Sequence, residues 1–117
     1  MYLTTKLSEN EVRGQRTGYS ERRVTDLQEL KALVWGLELD EGIRLVTQVP
    51  EYKDGAFVFL TKSGGRYVAN IKERVFDQTL GNFIPGTQEH WMYFEKSYEV
   101  WNFVTKLLKP QFEAYYY

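Results

Sequence analysis

The chain has 117 residues, with 15 Lys and Arg against 16 Asp and Glu, and 16% of it is aromatic. That length fits one domain, 1–117, because a second core needs roughly another hundred residues. It contains no cysteine, which excludes disulfides, thiolate nucleophiles and cysteine-bound zinc, and its net charge of −1 gives no overall pull toward nucleic acid or anionic membranes.

Residues 2–7 and 19–24 read as strands joined by a polar segment with Gly14 and Gly18. Met1 to Asn10 lack the apolar run of a signal peptide, and no stretch approaches the roughly eighteen apolar residues of a membrane helix, so the expectation is a soluble, cytoplasmic protein without a membrane partner. The clearest helix start follows. Thr25 or Asp26 can cap the first amides while Gln28 or Glu29 reaches back, and Leu27, Leu30, Leu33, Val34 and Leu37 recur at helical spacing. With Gly36 as its stop, this predicts a helix over 26–36.

Three strands of a meander come next. Ile43, Leu45, Thr47 and Val49 alternate with Arg44, Val46 and Gln48, and 50–55 turn the chain. Ala56 to Leu60 are apolar on both faces, the pattern of a central strand covered on each side. Ser63-Gly64-Gly65 supply a hairpin turn, and Arg66 to Lys72 return with Tyr67, Ala69 and Ile71 on one face. Gly81, Pro85 and Gly86 predict an irregular segment over 73–89, and His90 to Glu95 a further strand. Ser97 is the expected cap of a second helix, whose stripe Trp101, Val104 and Leu108 should be buried and which Pro110 should end or kink. Phe112 to Tyr117 are expected to dock or fray. The order of elements predicts an α+β fold, an antiparallel sheet of about five or six strands with two helices packed on one face.

Four clusters invite a chemical reading. His90 is the only histidine, which excludes mechanisms needing two imidazoles; acid–base work with Glu89 or Glu95 as orienter remains conceivable, and a structural or exposed histidine is the plainer reading. Glu38, Asp40 and Glu41 lie close enough to hold a cation but lack a glycine-framed loop, so a solvated turn is expected, with no metal and no cofactor. Ser63 to Arg66 resemble an anion nest, yet strands flank them where a phosphate loop would open a helix. Arg13, Arg16, Arg22 and Arg23, interleaved with Gly14, Gly18 and Tyr19, are the possible nucleic-acid contact, diluted by Glu9, Glu11 and Glu21.

The remaining feature is the aromatic surplus after residue 90. Trp91, Tyr93, Tyr115, Tyr116 and Tyr117 are the rings expected at a partner surface, because Trp and Tyr bury large area with few rotors. The segment Val24-Thr25-Asp26-Leu27-Gln28-Glu29-Leu30, followed by a meander ending Gly64-Gly65-Arg66-Tyr67-Val68, resembles the small α+β immunity proteins that block bacterial toxins, over about half the chain. That resemblance implies a protein that works by binding another. The leading expectation is therefore a non-enzymatic protein-binding module, of the kind represented by inhibitors, immunity factors and assembly factors, whose partner is another protein or a second copy of itself. The alternatives are a small-ligand binder or small enzyme with an aromatic-lined cleft using His90 or an acidic group, and a nucleic-acid contact through 13–23, which is the less expected.

Overall fold

The computed structural model describes residues 21–108 and 112–117; the expected strand at 2–7, Arg13, Arg16 and Pro110 lie outside them. In chain order the elements are β1 (Arg22–Val24), α1 (Leu27–Trp35), β2 (Gly42–Val49), β3 (Tyr52–Ser63), β4 (Arg66–Asp77), β5 (Asn82–Phe94), α2 (Ser97–Leu107) and β6 (Glu113–Tyr116). The strands form one antiparallel sheet in the order β1-β6-β2-β3-β4-β5.

Register explains why both helices share a face. Ile43, Leu45 and Thr47 stand opposite Leu60, Val58 and Ala56 on β3, Val58 and Leu60 opposite Ile71 and Ala69 on β4, and Leu45 opposite Ala114 on β6. Strand alternation sends all of these side chains to one side, where they are buried with Leu30, Val34 and Leu37 of the first helical region and Val100 and Val104 of α2. The fold is thus α+β, with two helices on one face of a six-stranded sheet.

Local chemistry sets the helix ends. Asp26 caps α1 by accepting from the Gln28 amide at 3.1 Å, and Gly36 ends it. Glu29 does not reach back as a capping box would; its carboxylate accepts from Arg22 at 2.7 Å instead. Nor does Ser97 cap α2. The cap is Lys96, and Glu99 accepts from the Glu95 and Lys96 amides at 3.0 Å each. The Thr47 hydroxyl donates at 2.8 Å to the Leu107 carbonyl, satisfying both a buried hydroxyl and one of the helix's orphan acceptors.

Two expectations need correction, and a third is resolved. Residues 73–89 are not irregular: β4 runs on to Asp77, and β5 starts at Asn82. Pro85 and Gly86 are accommodated because β5 is an edge strand and the register shifts between Lys72 and Arg74, where Glu73 accepts from the Gln88 amide at 3.4 Å. Of the two outcomes expected for the C-terminal segment, docking is the one found: β6 inserts between β1 and β2 and pairs with both. Trp101 is only partly buried, and the stripe at the heart of α2 is Val100 and Val104.

Candidate functional site

Among the described residues, no helix lies on the opposite face of the sheet. Strand pairing arranges its side chains in rows. One row runs Arg23, Tyr115, Arg44, Phe59, Asn70, Trp91 from β1 to β5, and the next runs Glu113, Val46, Phe57, Lys72, Glu89. Trp91 and Tyr93, both on β5, therefore share this open face at one edge, and they are 52% and 54% exposed.

Arginines and rings alternate across it. The Arg44 guanidinium lies 4.3 Å from the Tyr115 ring centroid and 5.6 Å from that of Phe57. Arg74 lies 3.9 Å from Phe83 and 5.6 Å from Phe57, while Arg23 stands over Tyr115 and Arg66 over Tyr93 at 4.6 Å. Each cation sits on the negative face of a π-system, an attraction of about 0.5–2 kcal/mol depending on desolvation. This also accounts for Phe57, which is buried although no helix among the described residues covers it. The two-sided apolar pattern of β3 is matched on this side by Arg44 and Arg74 lying within 5.6 Å of its ring.

Polar groups on the face are mostly committed. Arg44 crosses over Tyr115 to make a bidentate pair with Glu21, at 2.7 and 2.9 Å. Partial burial opposes its charge, but the hydrogen bonds and negative charge of Glu21 outweigh that and hold its pKa above the ordinary value. Glu89 accepts from Asn70 at 2.9 Å and pairs with Lys72 at 3.2 Å, and these two partners, Asn70 first, lower its pKa. The Tyr115 hydroxyl donates to Glu113 at 2.7 Å, which raises the tyrosine's pKa.

The tail tyrosines divide by strand alternation. Tyr115 is on the open face. Tyr116 points to the helix side, where its hydroxyl donates to Glu41; burial first, then that carboxylate, pushes its pKa up to about 12. Tyr117 exchanges backbone hydrogen bonds with Gly42 at 2.8 and 2.9 Å, and its ring lies where a Gly42 side chain would be, 2.5 Å from an ideal Cβ. All three are half-buried.

The other sequence candidates fall elsewhere. His90 is exposed on the helix side, with the Tyr52 hydroxyl 3.4 Å from Nδ1, and Glu89 is turned to the opposite face. Glu41 accepts from the Glu38 amide at 3.0 Å, making the acidic cluster a hydrogen-bonded turn, and no group of three metal-ligating side chains occurs among the described residues. Gly64 takes φ +62 in the β3–β4 hairpin. Arg22 and Arg23, neighbours in β1, point to opposite faces, Arg22 to Glu29 and Tyr116 and Arg23 to Tyr115. An open recess of about 220 Å³ is lined by Thr47, Arg74, Leu107, Phe112 and neighbours; His90 is not part of it. No helix among the described residues is long and apolar enough to cross a membrane.

Residues that the sequence did not single out are Arg44, Arg74 and Phe57, and Arg66 was singled out only beside the hairpin turn. Their signal is period two: in β4 the same side reads Arg66, Val68, Asn70, Lys72, Arg74. The chain matches no family model, and no curated protein or solved structure shows significant similarity to it.

Proposed function

We propose that this chain is a non-enzymatic protein-binding module, acting as an inhibitor, immunity factor or assembly factor through the open face of its sheet. The observation that carries the reading is the pair Trp91 and Tyr93, two large rings at i and i+2 on one face of an edge strand, each more than half exposed. Rings of this type in a rigid strand provide contact area at small entropic cost, which is why they dominate the energetics of interfaces. Among the described residues no strand pairs with the outer side of β5, so a partner can gain main-chain hydrogen bonds beside the same rings.

The test is capture from native lysate of the source cell with the tagged full chain, followed by mass spectrometry. A protein recovered in near-equal amount by the wild type and lost by Trp91→Ala/Tyr93→Ala supports the reading. Recovery of the same protein by both refutes it.

A further inference from the structure

We infer that the partner presents acidic side chains to this face, spread over a protein-sized footprint; the inference rests on the binding-module reading and specifies its partner's chemistry. The argument is one of charge. Arg23, Arg66 and Arg74 all project on the open face and, among the described residues, none has a carboxylate partner. Among the described residues, Arg23 and Arg74 make only long backbone hydrogen bonds, donating to the Phe112 and Asp54 carbonyls at 3.4 Å each. The carboxylates that alternate onto the same face are already engaged: Glu21 by Arg44, Glu89 by Lys72 and Asn70, Glu113 by Tyr115. Residues 1–20 carry Lys6, Arg13 and Arg16 against Glu9 and Glu11, so their composition adds no net negative charge.

Spacing then decides what fits. Arg66 and Arg74 are eight residues apart on β4, about 27 Å at the rise of a strand, and Arg23 lies four strand spacings away from β4, about 19 Å. No small anion bridges such distances, whereas an interface of ordinary size covers them. The guanidinium planes are held against Tyr115, Tyr93 and Phe83, which restrains them for bidentate carboxylate recognition. Three separated charges give a nucleic acid little hold at cellular salt, because affinity there scales with the number of phosphates neutralised.

The experiment uses the full chain and a fluorescein-labelled peptide of about twenty residues alternating Glu and Ser, with a Lys-Ser peptide and a single-stranded oligonucleotide of equal charge as the other arms, read by anisotropy in about 20 mM salt. The acidic peptide should bind, the basic one should not, and Arg23→Gln/Arg66→Gln/Arg74→Gln should weaken the acidic peptide at least about tenfold while Lys31→Gln on α1 leaves it unchanged. If the triple variant does not fold, Arg23→Gln/Arg66→Gln, both at exposed residues, carries the test with a loss of at least about threefold. Equal binding of the acidic and basic peptides, insensitivity to the arginine variants, or tighter binding of the oligonucleotide through the same arginines would overturn the inference. Failure here is separable from failure of the module reading: a captured partner lost on changing Trp91 and Tyr93 but indifferent to the arginines refutes only the acidic footprint.

Discussion

Removing the Glu21–Arg44 pair should show that the open face is a built structure and not a set of solvated side chains. The pair is bidentate, at 2.7 and 2.9 Å, and its side chains are only 22% and 25% exposed. Exposed ion pairs contribute about 0.2–1 kcal/mol, and a bidentate, partly desolvated one stands above that range, so the coupling energy should be about 1–1.5 kcal/mol. Arg44→Gln alone should cost more, about 2 kcal/mol, because it also removes the stack on Tyr115 at 4.3 Å. The assay is a double-mutant cycle of Glu21→Gln and Arg44→Gln by urea denaturation at neutral pH. Since the pair reaches across β6 to join the start of β1 to β2, a coupling below about 0.3 kcal/mol would mean that it does not hold those strands together.

Val104→Ala, at a fully buried site in α2, removes two methyl groups and leaves a cavity, so it should cost about 2–3 kcal/mol in the same assay; a cost under about 0.5 would contradict the placement of the core. Gly55→Ala puts a Cβ 2.5 Å from the Thr47 carbonyl at φ +82, and should destabilise by at least about 2 kcal/mol, whereas a neutral effect would refute the β2–β3 register at that point. Tyr116 has its pKa raised in the folded state to about 12, so its contribution is complete below the ordinary value of 10.0 and is lost as pH rises from there through about 12. The stability advantage of the wild type over Tyr116→Phe should accordingly shrink across that window, and an advantage independent of pH would count against the Glu41 contact.

Local signals were legible where local chemistry governs. Asp26 and the leucine spacing define α1, and Ser63-Gly64-Gly65 define the β3–β4 hairpin. The irregular reading of 73–89 failed because Pro85 and Gly86 break central strands, whereas here they lie on an edge beside a register shift. The fate of Tyr115 to Tyr117 was hidden for a different reason. Whether a short aromatic tail frays or becomes an inner strand depends on a gap left between β1 and β2 by α1, a contact order that no local pattern encodes. The same non-local insertion brings Arg44 beside Tyr115 and Arg23, and so the arginine–ring alternation across the strands was not visible from spacing alone. By contrast, the separation of Arg22 from Arg23 follows from strand alternation once 19–24 is read as extended.

The most direct test of the binding-face account is a calorimetric titration of the captured partner, purified, against wild type, Trp91→Ala and Tyr93→Ala, with thermal denaturation of each variant alongside. Because both rings are about half exposed, each substitution should lower Tm by no more than a few degrees while weakening the partner by about 1–3 kcal/mol, roughly tenfold or more. Unchanged affinity in both variants, or unfolding in both, would contradict the claim that these rings serve recognition.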